Sequence, residues 1–184
     1  MVADPFDTLG IEPRFDLDPD ALAERHRALA AALHPDRYGG RPAGERRLAL
    51  ERAVEVNAAW RALSDPVRRA AALLERAGIA MGERSEPPPA PELLMEMMEA
   101  REALAEARRA ADAGAVARLA ARMRSREEAV VARLEAGFRT AAGDRDQLSA
   151  LVRVVGELRY VRRFFEEIDA FEEALLDKDA EAGA

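Results

Sequence analysis

The stretch Ala30-Ala31-Ala32-Leu33-His34-Pro35-Asp36-Arg37-Tyr38-Gly39-Gly40 decides how the first half of the chain must fold. Pro35 lacks the N–H that would continue a helical ladder, and its ring pushes His34 out of the α region. A helix arriving from the N-terminal side therefore ends at His34. Gly39, Gly40, Pro42 and Gly44 follow in a short space, which makes a loop of what comes next. Upstream, Leu22, His26, Leu29 and Leu33 recur at i, i+4, i+7 and i+11, one stripe of an amphipathic helix. Asp18-Pro19 opens that helix as an N-cap followed by proline at the first helical position. Downstream, a second long helix starts near Glu45 and carries Leu50, Val54, Asn57, Trp60 and Leu63. The reading is an antiparallel helix pair with His34-Pro35-Asp36 at its mouth.

Working outward, residues 4–10 predict one short helix carrying Phe6 and Leu9, with Gly10 as its stop. Asp65-Pro66 interrupts the second long helix and restarts a short one with Ala70, Leu73 and Leu74 inside; Gly78 ends it. Gly82, Ser85 and Pro87-Pro88-Pro89-Ala90-Pro91 then predict a semi-rigid linker over residues 79–91. This divides a first domain, residues 1–78, from a second, residues 92–184. The second holds three helical stretches, roughly 91–112, 115–141 and 145–177, broken at Gly114 and at Gly143-Asp144. Their apolar stripes are Leu93, Met97, Ala100 and Leu104; Val116, Leu119, Met123, Val130 and Leu134; and Leu148, Leu151, Val155, Leu158, Phe165 and Ile168. Short breaks between long helices predict a three-helix bundle, with a frayed tail from Asp177. The fold class is all-α.

Composition agrees and excludes several functions. About half of the 184 residues are apolar but only 5% are aromatic, and alanine, leucine, glutamate and arginine, all helix formers, dominate. The formal charge of −7 argues against a nucleic-acid partner, which calls for basic clusters. Residues 1–78 hold 12 arginines against 13 acids, so most of the excess negative charge falls in the second half. The first half is the better match for an acidic partner. There is no cysteine, which removes disulfides, thiolate zinc sites and cysteine-ligated clusters. No apolar run approaches the roughly 20 residues that span a bilayer, and no signal peptide is visible. The expectation is a soluble cytoplasmic protein with no membrane partner.

The loop at the mouth of the helix pair carries the functional reading. Proline stiffens it and presents an imidazole and a carboxylate clear of either helix. The imidazole lies near a helix C-terminus, where the dipole favours a cation. The carboxylate suits a charge-assisted contact to an arginine of another protein. On its own the triplet is an ordinary turn; its setting distinguishes it, between an amphipathic helix and a glycine-rich loop and after Phe6-Asp7-Thr8-Leu9-Gly10-Ile11. That combination resembles the J domain of DnaJ-type co-chaperones. Asn57-Ala58-Ala59-Trp60-Arg61-Ala62-Leu63, Pro66, Arg69-Ala70 and Leu73-Leu74 narrow the resemblance to the HscB family of iron–sulfur cluster assembly. The run from Leu94 to Leu104 is similar to the start of that family's C-terminal domain.

The resemblance implies an N-terminal J domain that stimulates a DnaK/HscA-type chaperone ATPase, and a C-terminal three-helix domain that brings it the IscU-type scaffold protein. His34, Pro35 and Asp36 match the family's triplet. Arg25, Arg27 and Arg37 stand on the basic side that would dock on the chaperone, while Ala30-Ala31-Ala32 fills a segment that J domains often make basic.

A second surface follows from a helical wheel at about 100° per residue. With Leu93 at zero, Met97, Ala100 and Leu104 fall within about 40° of it, whereas Leu94, Met95 and Met98 lie between about 100° and 200°. A methionine-rich apolar patch bordered by Glu99, Arg101 and Glu102 suits protein recognition, or packing against the first domain. The family resemblance implies scaffold contacts at Leu94, Met95, Met98, Glu99, Arg101 and Glu102, with Tyr160 as the aromatic of the third helix.

No cofactor is expected. The only histidines, His26 and His34, stand about 12 Å apart along one helix and about 80° apart around it, so they cannot share a metal ion. His26 reads as a residue packed at the core edge. Arg162-Arg163 is expected to pair with carboxylates one turn on. A hydrolase using His34 and Asp36 lacks a nucleophile and an oxyanion site. Beside the co-chaperone reading stand a plain helical interaction protein with a degenerate J-like domain, and a J-protein serving another client.

Overall fold

The computed structural model describes residues 3–82 and 87–182, with side-chain surroundings through residue 170. Ser85 of the expected linker lies outside the described residues. Among the described residues there is no strand: the protein is all-α. The helices are α1 (Pro5–Leu9), α2 (Pro19–Ala32), α3 (Ala43–Ser64), α4 (Pro66–Arg76), α5 (Pro91–Ala110), α6 (Ala113–Ala141) and α7 (Arg145–Ala182), with a single 3-10 turn at Pro35–Tyr38.

Capping explains most boundaries. The Asp4 side chain accepts from the Phe6 and Asp7 N–H groups, and Gly10 closes α1 at φ +63°, a conformation open to glycine at little cost. Asp18 caps α2 and Asp65 caps α4, each followed by proline at the first helical position. Asp65 thereby accounts for the break between α3 and α4: its own backbone is extended at φ −93° and ψ 120°.

By compactness the chain divides into two units, Met1–Met81 with Phe138–Ser149, and Gly82–Gly137 with Ala150–Ala184. In the first, α1 and α2 pack on α3 around Phe6, Leu9, Leu22, Val56, Ala59 and Leu63, with Trp60 and Leu29 at the edge. His26 is half-buried there, stacked on Trp60 at 4.8 Å and hydrogen-bonded through Nε2 to Asn57 Oδ1 at 2.9 Å. Arginines tie the short elements down. Arg69 donates to the carbonyls of Leu63 (2.7 Å) and Phe15 (2.6 Å), and Arg76 pairs with Asp4 and, at 3.1 Å, with Asp7. The tip of the α6–α7 hairpin belongs to this unit: Phe138 stacks on Phe15 at 5.3 Å, and Arg145 donates to the Gly78 carbonyl at 3.0 Å.

The second unit packs α5, α6 and α7 around Leu93, Met97, Ala100, Leu104, Met123, Phe164 and Ile168. Gly137 marks a close approach of helices: a Cβ there would meet Leu151 Cδ2 at 2.4 Å.

Several local expectations are corrected. On α3 the buried residues are Ala49, Val56, Ala59 and Leu63, while Leu50 and Val54 are about 60% exposed. The buried face combines Val56 and Leu63 with small alanines, and it leaves Leu50 and Val54 outside. The break before α6 falls at Ala111, in the left-handed region at φ 51°, with the Asp112 side chain accepting from the Ala115 N–H; Gly114 lies inside α6. Phe164, not Phe165, is the fully buried phenylalanine of α7. Helix α7 runs on to Ala182 rather than ending at Asp177, since neither glycine nor proline stands between those two residues.

Candidate functional site

Two positions in the fold present the residues singled out by sequence. The first is the corner after α2. Leu33 ends that helix, its N–H donating to the Leu29 carbonyl at 3.1 Å, and His34 turns out at φ −58° and ψ 134°, as a residue before proline must. Pro35–Tyr38 then make one 3-10 turn, closed by the Arg37 N–H on the His34 carbonyl at 3.0 Å. Gly39 has φ −53°, so the loop's first glycine serves no left-handed turn.

The three side chains of the triplet are all exposed. His34 Nδ1 lies 3.4 Å from the Asp36 N–H donor and 3.4 Å from Asp36 Oδ2. The first contact requires Nδ1 without a proton and the second requires one, and both sit at the outer limit of hydrogen bonding. Neither contact locks the ring. The Asp36 carboxylate is 90% exposed, with lone pairs open to a forked donor such as a guanidinium.

The three arginines near this corner differ in what they do. Arg27 and Arg37 are exposed. Arg25 Nε donates to the Leu9 carbonyl at 2.7 Å and lies against Gly10, so it fastens the end of α1 to α2. That partner is 16 residues away in sequence, and nothing local signals it.

The second position is α5. Leu93, Met97, Ala100, Leu104 and Ala107 are buried along one stripe. Leu94, Met95 and Met98 lie off it and are exposed, the two methionines 63% and 60%. Glu99 and Glu102 are exposed beside them. Arg101 forms a forked pair with Glu167 on α7, at 2.7 Å from Nη2 and 3.1 Å from Nε, and that carboxylate holds the guanidinium above its ordinary pKa. Glu167 is thus taken by a neighbouring helix, and Arg162 reaches Glu127 on α6 at 3.4 Å, which joins α7 to α6. Tyr160 is half-buried against the core of this unit.

Sequence reading missed a third feature. Arg126 and Arg133 of α6 and Arg153 and Arg163 of α7 line a groove of about 500 Å3 with Tyr160 and the prolines at 87–89. Their spacings, seven on α6 and ten on α7, were the available signal.

Comparison with known proteins identifies both halves of the chain. Residues 4–72 match the DnaJ domain, and residues 89–169 match the HSCB C-terminal oligomerisation domain. A co-chaperone protein HscB homolog of Bordetella avium is 37% identical over 171 residues, 92% of this chain and 98% of that protein. The chain belongs to the HscB co-chaperone family. Another HscB homolog, from Bordetella pertussis, is 45% identical over 106 residues, a match spanning 58% of this chain and 62% of that relative. The HscB chaperone of Vibrio cholerae shares the fold with a TM-score of 0.81 at 27% identity, covering 94% of this chain and 99% of that one. In family terms α1 to α4 are the J domain and α5 to α7 the HscB C-terminal domain.

Proposed function

We propose that the chain is a co-chaperone that stimulates ATP hydrolysis by a DnaK/HscA-type chaperone and delivers an IscU-type scaffold protein to it during iron–sulfur cluster assembly. The observation that carries the reading is the corner itself: an imidazole and a 90% exposed carboxylate on a proline-stiffened turn, flanked by Arg27 and Arg37. Such a carboxylate reaches an arginine of the chaperone without first breaking a strong internal pair. The protein performs no chemistry; it biases a partner's catalytic cycle. The scaffold sits on Leu94, Met95 and Met98, bordered by Glu99, Arg101 and Glu102 and neighboured by Tyr160, and the proline-rich residues 79–91 join J domain 1–78 to scaffold-binding domain 92–184. Family membership supports the first role, and an exposed methionine patch on an otherwise well-packed helix supports the second.

One observation favours the bare interaction protein. Arg25 is engaged with the Leu9 carbonyl, which thins a basic face already interrupted by Ala30-Ala31-Ala32. Steady-state ATPase assays of the chaperone separate the two readings. Wild type stimulates and His34→Gln does not, with unchanged circular dichroism; absence of stimulation by wild type favours the interaction protein. Changing Leu94, Met95 and Met98 together to Ser weakens scaffold binding by calorimetry and leaves stimulation in the absence of scaffold intact. Unchanged scaffold affinity removes the patch from the interface.

A further inference from the structure

The arginine-lined groove of the second unit shares only Tyr160 with the scaffold surface proposed above; its arginines have no part in that reading. Its floor is a closed charge network. Glu157, largely buried, pairs with Arg126 at 2.7 Å and accepts from Arg133 at 2.9 Å. Arg126 Nε lies 3.3 Å from Glu96, yet this buried N–H is not aligned for a hydrogen bond and has no acceptor. Two arginines and two glutamates therefore neutralise one another below the groove. Arg153 and Arg163 of α7, about 80° apart around the helix, both line the groove, are exposed, and form no ion pair among the described residues. The groove's rim is positive on a chain whose formal charge is −7.

Shape selects the ligand. Arg153 and Arg163 are about 15 Å apart along the helix, at about 1.5 Å per residue. Gly156, without a side chain, and Tyr160 lie between them, and the extended segment at residues 87–90 forms the facing wall. A space of about 500 Å3 far exceeds a single phosphate and lies within the usual range for bound ligands. An extended peptide covers about 15 Å in four to five residues, at about 3.3 Å each.

We propose that this groove binds a short extended acidic peptide segment of a partner protein. One carboxylate pairs with Arg153 and a second, about four to five residues on, pairs with Arg163. Between them the segment crosses Gly156 and packs on Tyr160 and the proline wall. A nucleic acid fits less well, because the overall charge of −7 repels a polyanion of that length. The inference is independent of the chaperone-stimulating role, since no residue of the His34 corner enters it, and it needs none of Leu94, Met95 and Met98.

The test uses the full chain and a fluorescein-labelled alanine–serine peptide with glutamates about five residues apart, followed by fluorescence polarisation. Saturable binding is expected, weakening as salt rises. Arg153→Glu with Arg163→Glu lowers the affinity about tenfold or more, while the matching lysine pair keeps part of it. Both positions are exposed, and circular dichroism verifies the helices of each variant. His34→Gln leaves the binding unchanged, so failure here is distinct from failure of the co-chaperone role. No saturable binding overturns the proposal, as does equal affinity for the same peptide with glutamine in place of each glutamate, or indifference to charge reversal. Tighter binding of tripolyphosphate or of a single-stranded oligonucleotide also overturns it, by assigning the groove to another polyanion.

Discussion

The two units present their working surfaces by opposite means. In the first, the exposed groups ride on a turn whose shape comes from the covalent structure of Pro35, and the short helices around it are fastened by arginines reaching backbone carbonyls. In the second, the exposed groups ride on the outer side of α5, and their exposure depends on which stripe the core takes. A turn carries its geometry with it. A helix face is defined only by what packs on the opposite side.

The sharpest test of this contrast is Phe164→Ala. Phe164 is fully buried where α7 meets the core of the second unit, and its loss costs about 3–5 kcal/mol in urea unfolding. A change below about 1 kcal/mol would mean that the α5 face is not held by this core. Next comes Arg69→Met in the first unit. Arg69 donates to two backbone carbonyls and lies over the Phe15 ring at 5.4 Å, so its removal costs about 1.5–3 kcal/mol. A neutral result would show that apolar packing alone holds the short elements of that unit.

Smaller effects refine the comparison. Ala111 occupies the left-handed region that glycine enters more easily, so Ala111→Gly stabilises the second unit by about 1 kcal/mol, read as an upward shift in unfolding midpoint. Smallest is the pair of Arg14 and Asp16 in the first unit. The hydrogen bond from Arg14 lowers the pKa of Asp16 from its ordinary 3.8 to about 2. The folded value is the lower, so the pair favours the native state above about pH 4 and that contribution fades as pH falls toward about 2. Both side chains are about half exposed and solvent screens the pair, so the stability effect is slight. An NMR titration finds the Asp16 midpoint near 2, and Arg14→Met returns it toward the usual carboxylate range.

Much of this was legible in the chain. Asp4, Asp18 and Asp65 each cap a helix whose first residue is proline, and those starts were visible because both signals are local. The separation of Leu93, Met97, Ala100 and Leu104 from Leu94, Met95 and Met98 was equally plain, because α5 has one dominant stripe. On α3 the same reasoning chose Leu50 and Val54 where the fold buries Ala49 and Ala59, since the buried face there includes small alanines that a search for large apolar residues passes over. The break after α5 misled for another reason: an alanine in the left-handed region carries no sequence mark, whereas the nearby Gly114 does.

The sequence alone thus determined the helical class, the capped helix starts, the proline-stiffened corner and the exposed side of α5, all set by covalent geometry or by a repeat of a few residues. Tertiary structure decided that Arg25 fastens α1, that Glu167 answers Arg101 rather than its own helix, that the α6–α7 tip packs with the first unit, and that arginines of α6 and α7 line one groove. The reason is physical. A guanidinium at the end of a long side chain pairs with whichever acceptor packing brings within reach, and sequence distance does not limit that choice.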